Sequence, residues 1–178
     1  MSLYSIFYKI YSNLFFKKRF YRFHLVLHNL SLNGLGVLNC SDQFSGEEYF
    51  IKNHFIKKNE GKVIFDVGAN VGNYSRMVRK YLPNADIYAF EPHINNFEKL
   101  KEVKKEHSIN IINYACGDIN TKQYLFDFAH HDGSTGASLY SNVIEELFNS
   151  ESVKHEIEII KIDDFAIANN IDKINLLK

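Results

Sequence analysis

The chain of 178 residues is poor in cysteine, in proline and in net charge. Its two cysteines, Cys40 and Cys116, have neither metal-site nor redox-pair spacing, and they fit a reduced, cytosolic protein. Two prolines and nine glycines leave no linker or low-complexity segment. The 21 basic and 21 acidic residues cancel, so bulk charge does not favour nucleic acid as a partner. The share of hydrophobic residues, 46%, is ordinary for a globular protein, and a length of 178 residues predicts one main domain.

Long apolar runs are also missing. Residues 23–41 have no Asp, Glu, Lys or Arg, but their histidines and asparagines make them too polar to cross lipid. The first sixteen residues include Lys9 and lack a small-residue cleavage site, which argues against a secretory signal. We therefore expect a cytoplasmic protein.

Acidic residues are missing from residues 1–40, which contain five basic ones. Apolar residues recur there at helical spacing and predict a helix over residues 3–18. The apolar positions are Leu3, Phe7, Ile10 and Leu14. A basic, aromatic, amphipathic helix can lie on an anionic membrane surface, so one interpretation is peripheral contact at the inner membrane face through residues 1–22. Alternatively, this helix packs against the main domain, predicted over residues 41–178, with its basic residues in solvent.

The most informative stretch of the chain is an apolar run that ends in Asp66 and leads into a turn rich in glycine and asparagine. Gly68 and Gly72 can adopt positive φ, and Asn70 tolerates the left-handed region better than most residues. Helical periodicity follows the turn, and a helix start offers unpaired N–H groups to a ligand. The pattern predicts a strand, a ligand-binding turn and a helix.

The spacing of the glycines in this turn distinguishes a dinucleotide from other ligands. A dinucleotide-binding turn would have glycine at positions 68, 70 and 73, but Asn70 and Asn73 occupy two of them. The carboxylate of Asp66 in front of the turn suits a ligand with an amine and a sulfonium, such as S-adenosylmethionine. An ordinary strand-to-helix turn without a ligand is the alternative.

A second acid, Glu91, ends the next apolar run and is followed by a proline. In doubly wound folds an acid at this place accepts both hydroxyls of an adenosine ribose. Glu91 alone could equally be a solvated turn acid, but its pairing with Asp66 favours the ligand role. Asn95 is predicted to cap the following helix, with Glu98 as its capping-box partner.

These motifs belong to a series of seven segments in a fixed order, at residues 45–50, 65–72, 90–92, 113–115, 133–139, 162–165 and 171–178. The series resembles the FkbM-type S-adenosylmethionine-dependent methyltransferases over roughly residues 44–178. The resemblance implies an O-methyltransferase acting on hydroxyls of sugars, glycolipids and natural products. It also implies a set of cofactor residues, namely Asp66, Gly68, Asn70, Gly72 and Glu91.

The resemblance further implies that the last segment should continue as a strand ending in Lys-x-Asp-x-Glu-Gly, followed by more strands, whereas the chain stops at Lys178. We therefore expect a methyltransferase domain that is incomplete at its C-terminus, with an apolar sheet edge open to self-association. Two other functions stay open. One is a non-catalytic remnant or partner-binding module, and the other is an NAD-dependent oxidoreductase, against which the failed glycine spacing argues.

Strand and helix patterns alternate along the main domain, which predicts an α/β fold with a doubly wound, mainly parallel sheet. By the resemblance this is the Rossmann-like fold of class I methyltransferases. Predicted strands cover residues 62–67, 86–91, 109–115, 123–128 and 156–162, and a last one begins at 174. Predicted helices cover residues 46–58, 73–82, 95–107 and 163–170. Asp118 is expected to converge with Asp66 and Glu91 near an adenine. Glu47 or Glu48 is expected near the methionine amine, and the alternative is that these acids only begin a surface helix, a position that acids favour.

Methyl transfer to a hydroxyl of a small-molecule or glycan acceptor requires alignment and a base that removes the proton. The candidates are His130, His131 and Asp132. Two adjacent histidines and an acid could also hold a metal ion. However, consecutive residues rarely all face one ion and no distant ligand is evident, so the sequence predicts no metal site, and a plain loop is the remaining alternative.

Overall fold

The computed structural model describes residues 3–34, 46–55 and 62–178. The chain divides into two compact units, Met1–Phe50 and Ile51–Lys178. The predicted division at residue 40 lies outside the described residues.

The first unit is helical. Helix α1 (Leu3–Phe15) and helix α2 (Tyr21–Gly34) are joined by a 3-10 turn (Lys18–Phe20), and a short helix α3 (Glu47–Phe50) follows. The helix predicted over residues 3–18 is confirmed but ends three residues earlier, while α2 lies where the sequence predicted nothing definite. His24 of α2 holds the two helices together, because its ring bonds to Tyr11 Oη at 3.2 Å and to the Phe15 carbonyl at 3.0 Å. None of the described helices is both long and apolar enough to span a bilayer.

The second unit alternates strands and helices. It begins with a π-helical turn (Ile51–Phe55), so the helix predicted over residues 46–58 is divided between α3 and this turn, and residues 56–58 lie outside the described part. The strands are β1 (Val63–Val67), β2 (Asp86–Phe90), β3 (Asn110–Ile112), β4 (Ala115–Gly117), β5 (Thr121–Phe128), β6 (Ser152–Lys161) and β7 (Leu176–Leu177). The helices are α4 (Asn73–Tyr81), α5 (Ile94–His107) and α6 (Ile162–Ala168), with a further π-helical turn at Val143–Leu147.

Four of these strands form a parallel sheet in the order β3-β2-β1-β7. Successive side chains of a strand point to opposite faces, so β1 and β2 each contribute to two apolar layers. Ile64 and Ile87 pack with Leu100 of α5 on one side. Phe65 and Phe90 contact Phe165 of α6 on the other, with ring centroids 5.8 and 5.0 Å apart. Helices therefore cover both faces, and the predicted doubly wound, mainly parallel α/β fold is confirmed.

Burial is what holds this sheet between its helices. The side chains of Ile64, Phe65, Ile87 and Phe90 are all completely buried. Each contributes roughly 1.5–3 kcal/mol to folding relative to an exposed side chain. The carboxyl ends of β1 and β2 are thereby fixed next to each other, with Val67 paired to Phe90 in the register.

The strand predicted over residues 109–115 is confirmed over Asn110–Ile112 only, because the chain then changes sheets. β3 ends at Ile112, and β4 belongs to a second sheet in the order β4-β6-β5. Asn113 explains the break, since its side-chain amide donates to the carbonyls of Glu91 at 2.8 Å and Pro92 at 3.1 Å. These carbonyls keep a partner while the backbone leaves the first sheet.

The second sheet contains the antiparallel pair that the sequence did not predict. β5 and β6 align over eight residue pairs, from Thr121 with Ile159 to Phe128 with Ser152. The strand predicted over residues 156–162 therefore begins four residues earlier than expected, and α6 begins directly after it at Ile162.

The last strand, β7, lies at the outer position of the first sheet and pairs with β1 alone among the described strands. Its two residues are apolar, and Leu177 is half-exposed. The predicted strand from residue 174 is confirmed in a shorter form. Self-association through this edge stays a prediction.

Candidate active site

The turn between β1 and α4 has the backbone that its sequence predicts. Gly68, Asn70 and Gly72 have φ of +74°, +50° and +79°. The amides of Gly68 and Ala69 both donate to the Phe90 carbonyl at 2.9 Å, which fixes the turn to the end of β2.

The two glycines of this turn serve different purposes. A Cβ built on Gly72 would lie 2.7 Å from Cδ1 of the buried Leu100, so glycine there allows α4 and α5 to pack closely. A Cβ on Gly68 would meet nothing within 4 Å. The backbone at Gly68 thus borders open space that a ligand can enter.

Asp66 is completely buried at the end of β1. Ser75 Oγ, in the first turn of α4, donates to its Oδ2 at 2.6 Å, and Lys178 Nζ lies 3.9 Å from its Oδ1. These contacts tie the strand to the helix start. A direct contact between Asp66 and a cofactor stays a prediction.

Glu91 connects the turn to the next helix. Its Oε2 accepts from the Asn70 amide at 2.7 Å, and its Oε1 accepts from the His93 amide at 2.9 Å. Burial raises the pKa of Glu91 above its ordinary value, although the two backbone hydrogen bonds oppose the shift. Each carboxylate oxygen keeps a second lone pair. Glu91 can therefore hold the turn and still accept hydroxyl groups of a ligand.

The predicted capping box at the start of α5 is wrong. The helix begins at Ile94, and its cap is His93, whose Nδ1 accepts from the Asn95 amide at 3.2 Å. Glu98 instead pairs with Lys101 on the exposed face of α5. Histidine takes the cap because its ring is enclosed between the helix start and the loop after β5, where its other nitrogen meets Asp132 at 2.8 Å.

The loop after β5 is organised by the buried carboxylate of Asp127. Its two oxygens accept from the amides of Phe128, Gly133 and Ser134, each at 2.8 Å, and from the Ser134 hydroxyl. The Ser134 carbonyl in turn accepts from the Asn70 side chain at 3.4 Å. The loop is therefore anchored beside the glycine-rich turn.

Of the three predicted catalytic candidates, Asp132 is the one that meets other polar side chains. Its Oδ1 accepts from Nε2 of His93 at 2.8 Å and of His155 at 2.7 Å, and its Oδ2 accepts from Asn95 at 2.6 Å. By contrast, the side chains of His130 and His131 are exposed, without a hydrogen-bond or ionic partner among the described residues. A role for them as bases stays a prediction.

His93 and His155 were missed by the sequence analysis, which found no distant partner for Asp132. They lie 39 and 23 residues from it along the chain. No local motif marks them, since His93 follows a turn acid and a proline, and His155 stands within a strand. Together the three side chains have a spacing that could hold a metal ion.

The two other predicted cofactor residues stay untested. Asp118 follows β4 and is exposed, and the strand before it belongs to the second sheet rather than to the one that carries Asp66 and Glu91. Its convergence on these residues was expected from a single continuous strand, which the structure does not have. Glu47 begins α3, in the other unit.

Comparisons with known proteins extend this description. The family model described as "Methyltransferase FkbM domain" matches residues 66–178, which is more than half of the chain. Among solved structures, the methyltransferase FkbM from Methylobacillus flagellatus KT matches at 13% sequence identity and a TM-score of 0.43. That match covers 72% of this chain and 31% of the other, so the chain spans about a third of that protein's length. No curated protein matches the chain.

Proposed function

The chain belongs to the FkbM methyltransferase family, and on that basis we propose that it is an S-adenosylmethionine-dependent O-methyltransferase. The proposed acceptor is a hydroxyl of a sugar, a glycolipid or a natural product. The observation that carries the proposal is the position of Glu91, held by the Asn70 amide at the carboxyl ends of two parallel strands.

The residues present fit this cofactor. Glu91 can accept the ribose hydroxyls, and the space beside Gly68 leaves room for a ligand against the backbone of the turn. Asp66 supports the site indirectly, because its carboxylate accepts a hydrogen bond from Ser75 at the start of α4. The cofactor would supply a methyl group that its sulfonium already activates. The protein then has to bind the cofactor, align the acceptor hydroxyl with the methyl group and accept the proton of that hydroxyl.

A polar cleft that begins at Pro92, the residue after Glu91, supports an acceptor rich in hydroxyl groups. It has a volume of ≈ 480 Å³, and its lining includes Pro92, Asn113, His155 and Glu158. Donors and acceptors of this kind suit a sugar better than an apolar substrate.

Calorimetric titration of S-adenosylmethionine into the full chain tests the proposal, with NAD as the comparison ligand. We expect one molecule of S-adenosylmethionine to bind and NAD not to bind at the same concentrations, because Asn73 stands where a dinucleotide-binding turn needs glycine. Tighter binding of NAD would favour an oxidoreductase. No binding to a chain whose circular dichroism shows it to be folded would contradict the proposal.

We further propose that the first unit contacts an anionic membrane from the cytoplasmic side. The four apolar positions predicted on α1 are all more than half exposed, from 53% for Ile10 to 74% for Leu3. Lys17, Lys18 and Arg19 follow the end of this helix, Arg22 lies in the first turn of α2, and residues 1–40 have no acid. Exposed apolar residues beside basic ones are the composition that binds anionic lipid surfaces.

Sedimentation with phosphatidylcholine vesicles, with and without phosphatidylglycerol, measures this contact. We expect binding only to the anionic vesicles and release by salt. The double variant Lys17→Glu, Lys18→Glu should bind at least roughly 30-fold more weakly, at about 1 kcal/mol for each basic residue lost. The matched control is Lys101→Glu, Lys105→Glu on the exposed face of α5, which should bind like the unchanged protein. Equal loss in both variants would contradict a specific role of the first unit.

A further inference from the structure

His93, Asp132 and His155 form a hydrogen-bonded cluster beside Glu91. They come from the cap of α5, from the loop after β5 and from β6, respectively. The rings of His93 and His155 lie 4.4 Å apart between centroids, and both direct Nε2 at the same carboxylate oxygen. Their exposure differs, since the side chain of His93 is 1% exposed and that of His155 is 21% exposed.

The surroundings of His93 fix its protonation. Its Nδ1 accepts a hydrogen bond from the Asn95 amide, so this nitrogen carries no proton. A neutral imidazole has one donor and one acceptor nitrogen, and Nε2 is therefore the donor to Asp132. His93 has no free lone pair with which to take a proton or a metal ion.

The distances within the cluster also favour hydrogen bonds over a metal centre. Asp132 Oδ1 lies 2.8 and 2.7 Å from the two Nε2 atoms, which is the length of a charge-assisted hydrogen bond. Two ligands of a tetrahedral zinc ion at ~2.0–2.1 Å would lie about 3.3 Å apart. The cluster thus has the geometry of two imidazoles donating to one carboxylate.

Asp132 is held in its ionised form. Burial works to raise the pKa of this carboxyl, but hydrogen bonds from His155 and His93 outweigh it, and the pKa lies below its ordinary value. A carboxylate accepts and does not donate, so Nε2 of His155 carries a proton. In the neutral form of His155 the lone pair therefore lies on Nδ1, which meets no hydrogen-bond partner among the described residues.

We propose that His155 is the catalytic base that takes the proton of the acceptor hydroxyl, and that Asp132 and His93 are positioning residues. The inference rests on the proposed function and deepens it. His155 lines the polar cleft, and so does Pro92, the residue directly after Glu91, so the cleft begins one residue from the predicted cofactor site. Because His93 is buried and its lone pair is engaged, His155 is the member of the cluster that can accept a proton.

The proposed step conserves atoms and charge. The hydroxyl proton would pass to Nδ1 of His155 while the acceptor oxygen takes the methyl group of the sulfonium, and the electron pair of the broken sulfur–methyl bond would remain on sulfur. The resulting imidazolium is stabilised by the carboxylate of Asp132, and it returns its proton to water in the cleft. Among the other charged groups, Asp127 approaches the cluster, with its Oδ2 3.5 Å from His93 Nε2. Lys154, Glu156 and Glu158 also line the cleft, but their side chains lie on the opposite face of β6 from His155, because side chains alternate along a strand.

The first test needs neither cofactor nor acceptor. Long-range proton–nitrogen spectra of the full chain with ¹⁵N-labelled histidine show which ring nitrogen carries the proton. We expect the Nε2–H form for both His93 and His155 at slightly alkaline pH. Asp132→Asn should convert His155 to a mixture of both forms, because an amide can donate as well as accept, while His107→Gln should change neither spectrum. An Nδ1–H form of His155 in the unchanged protein would overturn the proposal.

The same spectra test the alternative occupant of the cluster. Addition of Zn²⁺ alone should leave the two histidine signals in place. Stoichiometric shifts of both signals, lost again in Asp132→Asn, would mean that the cluster is a metal site and would overturn the base assignment.

Turnover gives the second readout. The protein is supplied with S-adenosylmethionine and a panel of methyl glycosides, and release of S-adenosylhomocysteine is measured. His155→Gln should lower kcat about 100-fold without changing cofactor affinity, as expected when a general base is lost. Added imidazole should partly restore turnover in His155→Ala.

Controls separate this inference from the proposed function. His107→Gln should keep the kcat of the unchanged protein, and His130→Ala and His131→Ala should do the same if His155 is the base. Failure of the unchanged protein to bind S-adenosylmethionine would sink the proposed function. If the cofactor binds and His155→Gln keeps the kcat of the unchanged protein, only the assignment of His155 as the base is contradicted.

Discussion

Replacing Glu91 with alanine is expected to weaken the binding of S-adenosylmethionine at least about 100-fold. Hydrogen bonds to a charged group contribute roughly 1.5–3 kcal/mol each, and two ribose hydroxyls would lose such an acceptor. The variant also removes the acceptor of the Asn70 and His93 amides, which fixes the turn and the start of α5. Calorimetric titration of the variant and of the unchanged protein measures the loss of affinity, once thermal unfolding has shown that both have the same stability.

Two further variants define what Glu91 contributes. Glu91→Gln keeps the volume and one acceptor oxygen, so it should bind with intermediate affinity. The matched control is Glu98→Ala on the exposed face of α5, which should bind like the unchanged protein. Because burial raises the pKa of Glu91, affinity should fall on acidification at a higher pH than for an ordinary glutamate. Equal affinities of Glu91→Ala and Glu98→Ala would exclude Glu91 as a cofactor residue.

Asp127→Asn is expected to lower the free energy of unfolding by about 3 kcal/mol, because buried donors lose their acceptors. The carboxylate accepts from three amides and one hydroxyl, whereas an asparagine has one acceptor oxygen and turns an NH₂ group toward some of these donors. Urea unfolding followed by circular dichroism measures the change. Asp172→Asn, at an exposed position, is the matched control and should stay within about 0.5 kcal/mol of the unchanged protein.

The pH dependence of stability gives an independent check on Asp127. Burial works to raise its pKa, but hydrogen bonds from Ser134, Phe128 and Gly133 outweigh it and hold the pKa below its ordinary value. A carboxyl with a depressed pKa in the folded state stabilises the protein above its unfolded pKa of roughly 3.9, and this contribution is lost as pH falls from there through the folded pKa. Asp127→Asn should flatten the stability curve in that acidic range. Parallel curves for the two proteins would contradict the assignment.

The glycine-rich turn was predicted well because its signals are local. Gly68, Asn70 and Gly72 adopt positive φ, which glycine allows because it has no Cβ and which asparagine tolerates better than most residues. The run before Asp66 forms a strand because it is apolar and uninterrupted. The helix after the turn likewise follows from apolar residues at its own spacing. Such features need only neighbours in sequence, so one sequence is enough to find them.

The predictions that were wrong failed because they depended on contacts between residues far apart in the sequence. The strand at residues 109–115 breaks because Asn113 bonds to carbonyls more than twenty residues away. The cap of α5 falls to His93 rather than Asn95 because a distant loop encloses the histidine ring. The residues next to Asn113 and His93 in the sequence do not indicate these distant partners. Residue type alone therefore favoured one continuous strand at residues 109–115 and a cap at Asn95.

The sequence by itself determined the α/β class, the parallel core strands, the turn at residues 68–72 and the pairing of Asp66 with Glu91 at neighbouring strand ends. These follow from periodicity, backbone preference and the rule that parallel strands place their carboxyl ends together. Only the tertiary structure decided that Asp132, and neither of the histidines next to it, would meet His93 and His155. Side chains 39 and 23 residues apart are brought within hydrogen-bond distance by the antiparallel pairing of β5 with β6 and by the loop around Asp127, and no local pattern encodes those contacts.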